Sequence, residues 1–277
     1  MGILLDGKLL AQQERQGVME KIKSCKTQPK LAVILVGTDP ASHTYVHLKQ
    51  LACQEVGIGF ELFAYPVFVS EQELLDRIEQ LNARADVTGI LVQLPLPGQN
   101  PDPLIAAIDP KKDVDGFHPE NLERLRQGTP TLAPAVALGI LKLIEATHLD
   151  LSKKHAVIIG SKLFGEPLTH LLDTYGIESL IIPSDDPSLA QKTREADILI
   201  SAVGHPGLIT KEMIKPGAIV IDVGTTKVEQ KIVGDVAPDV IEVAGWMTPV
   251  PGGVGPMTVA LLLTNVLAAY QQQKTSE

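Results

Sequence analysis

The residues in this sequence with the most chemical potential are a few proton-active and hydrogen-bonding side chains, set among loops rich in glycine and proline. Tyr45 and Lys49 stand four apart in a stretch, 42–56, that reads as a helix, so both side chains leave one face a turn apart. A lysine near apolar walls loses charge stabilisation; its pKa falls from about 10.4 toward neutrality, and it can then donate and accept protons at pH 7. The ordinary alternative is a solvated lysine beside a core-edge tyrosine. Gln93 is the one polar residue near the end of the apolar run 89–94, and it must satisfy either local backbone or a functional partner. Asp115 sits in the Asp- and Gly-rich stretch 111–119, where an aspartate serves a turn or a ligand. His43 and His47 share the Lys49 helix without metal-ligand company, so they read as solvent-facing and no metal is expected.

Two glycine-bearing loops suit larger ligands. From Gly160 to Gly165 the sequence reads Gly-x-x-x-x-Gly, which departs from the dinucleotide spacing Gly-x-Gly-x-x-Gly. Its context is better than its spacing, because it follows a strand and opens a helix, where N–H groups and the helix dipole favour a pyrophosphate. A tight turn that needs two glycines is the plainer reading. The second loop is Thr248-Pro249-Val250-Pro251-Gly252-Gly253-Val254-Gly255-Pro256-Met257-Thr258, too rich in Pro and Gly for helix or central strand. It reads as a rigid, close-approach segment ahead of a helix over 258–270, or as a plain loop.

The elements that must position these residues follow an α/β pattern. The wholly apolar runs 31–37 and 89–94, with 60–65 between them, predict parallel strands. Helices are predicted over 42–56, stopped by Gly57, and over 70–82, with Ser70 as N-cap and Glu73 as its capping partner. A helix over 3–23 has Leu9, Leu10, Val18 and Ile22 as inward positions, and another covers 101–109. After a crossing helix over 135–146 the pattern restarts: strands at 156–160, 179–182, 197–202 and 218–223, helices at 165–174 and 187–195. The fold class is therefore α/β, two α/β domains with the second Rossmann-like, and a cleft at the carboxyl edges of the strands as the expected active site.

Composition narrows the function classes. At 277 residues the chain holds one large or two small domains, and 44% apolar with 21% charged residues is ordinary globular composition. A net charge of −9 argues against nucleic acid or an anionic membrane as the main partner, and no uninterrupted apolar run is long enough to span a bilayer. Two cysteines, Cys25 and Cys53, without a Cys-x-x-Cys pair or a secretory signal, fit a reducing, cytoplasmic setting.

Four segments together carry a resemblance. Asp39-Pro40-Ala41-Ser42 leading to Tyr45-Val46-x-x-Lys49, Gly89 through Pro97, Lys112-Asp113-Val114-Asp115-Gly116-Phe117-His118-Pro119, and Pro249 through Thr258 resemble the bifunctional methylenetetrahydrofolate dehydrogenase/cyclohydrolase family, in order and over essentially the whole chain. The resemblance implies oxidation of 5,10-methylenetetrahydrofolate by hydride transfer to NADP, then hydrolysis of the methenyl form to 10-formyltetrahydrofolate. It implies Lys49 as proton carrier of the hydrolysis, Gln93 as its positioning partner, Tyr45 ordering the folate and Asp115 holding the pterin. Val92, Leu94, Pro251, Gly252 and Gly253 join these four as the implied substrate-binding set. Gly160, Ser161, Lys162, Gly165, Pro167, Ser184, Asp185, Val203, Gly204 and Thr225 are the implied cofactor positions. Also implied are a folate domain over 1–119 rejoined by a helix over 258–277, a dinucleotide domain over 120–257, and a homodimer.

The dinucleotide half departs from the family pattern. Gly160-Ser161-Lys162 stands where Gly-Arg-Ser is usual, and the loop is a residue shorter before Gly165. Pro183-Ser184-Asp185-Asp186 replaces His-Ser-Arg/Lys-Thr, Pro134-Ala135-Val136-Ala137 replaces Pro-Cys-Thr-Pro, and Glu123 replaces a glycine. An acid about 20 residues beyond the phosphate loop accepts ribose hydroxyls and repels a 2′-phosphate, which favours NAD over NADP. Three functions stay open: the bifunctional enzyme, a cyclohydrolase with a weak or lost dehydrogenase, and a non-catalytic folate-binding subunit.

Overall fold

The computed structural model describes residues 2–129 and 131–275. The chain opens with a two-residue strand, β1 (Ile3–Leu4), before helix α1 (Gly7–Ile22). The helix expected over 3–23 is thus divided, because the Asp6 carboxylate accepts the N–H groups of Lys8 and Leu9 and starts the helix there. Of the positions expected inward, Val18 is buried, Leu10 and Ile22 are half-buried and Leu9 is exposed, while Leu5 and Ala11 are buried as well.

The next five elements lie close to their expected bounds: β2 (Lys30–Val36), α2 (Pro40–Val56), β3 (Gly59–Tyr65), α3 (Glu71–Ala83) and β4 (Gly89–Val92). Asp39 caps α2 through the Ser42 N–H and hydroxyl, and Gly57 ends it at φ 85°. Ser70 caps α3 by accepting the Glu73 N–H. Then come α4 (Pro101–Ala106), α5 (Pro119–Arg126) and α6 (Ala135–Glu145). The second α/β run is β5 (His155–Ile159), α7 (Lys162–Asp173), β6 (Glu178–Ile182), α8 (Leu189–Glu195), β7 (Ile198–Ser201) and β8 (Ile219–Asp222). The hairpin β9 (Thr226–Val228) and β10 (Lys231–Val233), the short β11 (Trp246–Met247), and α9 (Val254–Thr275) complete it.

The chain divides into two compact units, one of Gln12–Ala135 with Val259 onward, the other of the first eleven residues with Val136–Thr258. The first holds a three-stranded parallel sheet in the order β3-β2-β4. Leu31 to Val36 are all buried, so both faces of its central strand are covered. Ala32, Ile34 and Val36 on one face pack with Ile90 and Val92 against Leu74, Ile78 and Leu81 of α3.

The second unit holds a six-stranded parallel sheet, β1-β11-β8-β7-β5-β6. The strand order reverses about β5, the doubly wound arrangement in which ligands meet the carboxyl edge. Its core joins Val157 and Ile159 to Leu199, Val220 and Met247. Residues 2–11, placed by the resemblance in the folate domain, group with this unit, where β1 adds to β11 and the Leu5 N–H donates to Met247 O at 2.8 Å.

Candidate active site

In the three-stranded unit, α2 presents Tyr45 half-buried and Lys49 buried, while His43 and His47 face solvent as expected. The Lys49 ammonium donates to Gln93 Oε1 at 2.8 Å, and Gln93 Nε2 donates to Leu94 O at 2.6 Å. Both readings of Gln93 therefore hold at once: one end satisfies local backbone and the other grips the lysine. Gln93 can do this because it directly follows β4, whose neighbour β2 accepts the Gln93 N–H at Ile34 O. Val92 ends that strand buried and Leu94 follows it exposed.

Asp115 lies close enough to Lys49 for each to shift the other. Burial pushes the Lys49 pKa below its ordinary value, opposed by the Asp115 carboxylate. Burial also pushes the Asp115 carboxyl up to about 6, with Lys49 pulling it down and Asp113 adding to the rise. Cys53, one turn beyond Lys49 and fully buried, is pushed up to about 12 by burial, which keeps it a thiol. The group is thus one amine with a weakened hold on its proton, one carboxyl that titrates near neutrality, and an amide fixing the amine.

Several residues that hold Asp115 went unassigned in the sequence. Asp113 is the turn-former: its buried carboxylate accepts from the Gly116 N–H at 3.1 Å, the His118 N–H at 2.7 Å and Asn121 Nδ2 at 3.1 Å. Gly116 turns at φ 87° against the Ala133 backbone, where any Cβ would collide. Asn265 of α9 donates to both Val114 O and Ala133 O at 2.9 Å, tying the strands of chain on either side of that turn. Lys112 instead closes α3, donating to the carbonyls of Leu81, Asn82 and Arg84. A lone asparagine in the apolar run of α9 was the signal available for Asn265, of the kind that singled out Gln93.

The six-stranded unit carries the implied dinucleotide positions at the carboxyl ends of its strands. Gly160 directly follows β5 and Ser161 caps α7 by accepting the Phe164 N–H, so the helix starts at Lys162, three residues earlier than expected. Gly165 lies one turn inside α7 because a Cβ there would meet Ile181 of β6 at 2.8 Å. Pro167 is buried in the same helix, and Lys162 is exposed. A strand, a glycine and a capped helix start fit a pyrophosphate, with Lys162 as a nearby cation. Beyond β6, Ser184 is half-buried and Asp185 exposed, whereas Asp186 accepts from Lys192 Nζ and the Ser188 N–H at 2.7 Å each. Val203 and Gly204 follow β7, Thr225 follows β8, and the last two are exposed.

Pro251, Gly252 and Gly253 belong to this second unit. Gly252 and Gly253 are buried; a Cβ on Gly253 would press on Thr248 and the Pro249 carbonyl, and Gly7 packs against the Gly253 carbonyl. The following helix begins at Val254, four residues before its expected start, since Gly255 and Pro256 sit in a first turn that needs no N–H from proline. That helix is long and apolar enough by composition to cross a membrane, yet 61% of the stretch is buried inside the protein. Among the described residues no three His, Cys, Asp or Glu side chains gather as a metal site.

Two family models match: residues 5–115 match the catalytic domain of tetrahydrofolate dehydrogenase/cyclohydrolase and residues 134–274 its NAD(P)-binding domain. Bifunctional protein FolD of Exiguobacterium sibiricum is 46% identical over 275 residues, 97% of this chain and 99% of that protein. The crystal structure of the bifunctional FolD dehydrogenase/cyclohydrolase from Campylobacter jejuni is 41% identical, with a TM-score of 0.95 over 99% of this chain and 100% of that one. The Trypanosoma brucei FolD structure, complexed with NADP and an inhibitor, is 33% identical with a TM-score of 0.93, covering 99% and 98%. Catalytic and dinucleotide domains both match, in order and along the chain, and this chain belongs to the tetrahydrofolate dehydrogenase/cyclohydrolase family.

Proposed function

We propose that this chain performs two successive reactions on one folate carrier, oxidation of 5,10-methylenetetrahydrofolate to the methenyl form with NAD or NADP and hydrolysis of that form to 10-formyltetrahydrofolate. The observation that carries the reading is the buried Lys49, held by Gln93 and acted on by Asp115. The bound dinucleotide supplies the hydride acceptor for the first reaction. That step moves a hydride and no proton, so the chain has only to hold the folate in place.

Hydrolysis is where the side chains do proton work. Water adds to the amidinium-like methenyl carbon and sheds a proton, and the ring nitrogen that leaves must gain one, with one proton released overall. Lys49 takes the first and returns the second, a task suited to an amine whose burial has weakened its proton affinity. Gln93 fixes the amine, Tyr45 one turn away orders the folate, and Asp115 accepts the paired N–H donors of the pterin. Val92, Leu94, Pro251, Gly252 and Gly253 complete the substrate set and a homodimer the assembly, both supported by the resemblance alone, and the two cysteines, without a Cys-x-x-Cys pair, support a cytoplasmic setting.

At the dinucleotide, Gly160, Ser161, Lys162, Gly165 and Pro167 form the phosphate loop. Ser184 and Asp185 face the adenosine ribose, with Val203, Gly204 and Thr225 further along the strand ends. An exposed Asp185, with Lys192 already engaged by Asp186, favours ribose hydroxyls over a 2′-phosphate. The same observation supports the second reading, a cyclohydrolase with a weakened dehydrogenase. Steady-state rates of methylene oxidation with NAD and with NADP, alongside methenyl hydrolysis, test both. We expect hydrolysis together with oxidation for which kcat/KM with NAD equals or exceeds that with NADP. Strong NADP preference overturns the cofactor assignment, and absence of both reactions overturns the function.

A further inference from the structure

Asp222 and Asp235 are two aspartates of the dinucleotide unit, 2% and 0% exposed, and neither appears in the proposed chemistry. Asp222 ends β8, and its carboxylate accepts the N–H groups of Gly224, Asp235 and Val236, each at 3.0 Å. The Asp235 carboxylate then accepts the Ser201 hydroxyl and the Val203 N–H at 2.9 Å and the His205 N–H at 2.8 Å. The two anions are thus in series, the first fixing the backbone of the second and the second fixing the turn that leaves β7.

Neither carboxylate has a cation among the described ion pairs, so six N–H and O–H donors carry the cost of burying them. The surrounding chain is shaped to them: a Cβ on Gly224 would fall on the Asp235 carboxyl group, and one on Gly234 on that of Asp222. Two further contacts close the frame. Thr248, at the head of the Pro- and Gly-rich stretch, accepts the Asp222 N–H at 2.8 Å, and Thr226 donates to Gly204 O at 3.1 Å. Gly204 itself turns at φ 68°, at the carboxyl edge of the sheet.

We infer that Asp235, seated by Asp222, is a positioning residue for dinucleotide binding: it holds the Val203–His205 turn in the shape that receives the cofactor. This rests on the assignment of Val203 and Gly204 to the cofactor site made above. A turn held by three hydrogen bonds to one buried anion has little freedom to relax, so the ordering is in place before the ligand arrives and need not be supplied on binding.

The bifunctional chain contains its own control, because hydrolysis needs no dinucleotide. The experiment measures NAD and NADP Kd by titration calorimetry, kcat/KM for methenyl hydrolysis, and Tm, on the full chain with Asp235→Asn and Ser201→Ala. In Asp235→Asn an amide N–H₂ faces groups that donate, so we expect the dinucleotide Kd to rise about tenfold or more. Ser201→Ala removes one of the three donors and should shift Kd the same way by a smaller factor; it carries the test if the first variant does not fold. Hydrolysis should stay within about twofold of wild type in both. Unchanged Kd in a folded variant overturns the proposal, as does a parallel loss of dinucleotide affinity, hydrolysis and Tm, which marks a purely structural carboxylate. A wild-type chain that hydrolyses methenyltetrahydrofolate but binds neither dinucleotide instead overturns the cofactor assignment beneath it.

Discussion

Lys49 is an amine pulled two ways, by burial that disfavours its charge and by an aspartate that favours it. Burial also makes Asp115 a titrating group in the working range, its carboxyl pushed up to about 6 against the pull of Lys49. The sign follows directly. Above that value the group is an anion able to accept the pterin donors; as pH falls through about 6 it takes a proton and loses acceptor strength, two units before an ordinary carboxyl would. KM for the folate should therefore climb on the acid side of pH 6, and in Asp115→Asn it should be high and flat with pH. A wild-type KM that stays constant down to pH 5 contradicts the role. The four-residue spacing of Tyr45 and Lys49 was legible because a helix puts such residues on one face, and Gln93 because a polar group ending an apolar strand demands a partner. Asp113 was not legible, because two aspartates in one turn look alike until the N–H groups around each are placed.

Long periodic elements were read well and short ones were not, for a physical reason. Six buried residues of β2 or four turns of α2 leave a pattern, whereas β1, β9, β10 and β11, of two or three residues, are set by pairing with no period to detect. Cap chemistry explains the shifted helix starts: Asp6 and Ser161 each accept first-turn N–H groups and so fix where α1 and α7 begin. Helix α9 reaches the chain beside Asp115 through Asn265. Asn265→Ala leaves the buried carbonyls of Val114 and Ala133 without that donor, which should cost about 1–3 kcal/mol. The turn that carries Asp115 then loosens, so folate KM should rise while dinucleotide Kd holds. Chemical denaturation and the two titrations check this; an unchanged midpoint contradicts the strap.

At the scale of the molecule the chain runs through its two units twice, since β1 joins the six-stranded sheet before the three-stranded unit begins, and α9 returns to that unit at the end. The sequence pattern announced two α/β units, and the family resemblance implied the return of the last helix. It did not announce the first strand's exchange, because two exposed residues carry no burial signal. Lys49, Gln93 and Asp115 lie in one unit and the proposed phosphate loop, 160–165, in the other, so the proposed proton chemistry and cofactor binding should be separable by substitution. Ser161, Asp185 and Val136, the departures that the resemblance marks, fall in the six-stranded unit, and Lys49, Gln93 and Asp115, which it leaves unchanged, fall in the other.

The most direct measurement is the rate of methenyltetrahydrofolate hydrolysis by Lys49→Met, with dinucleotide Kd measured on the same preparation. Removing the proton carrier should lower the hydrolytic kcat by at least about a hundredfold and leave the Kd within about twofold of wild type. Hydrolysis that survives in the folded variant within about threefold of wild type contradicts the account.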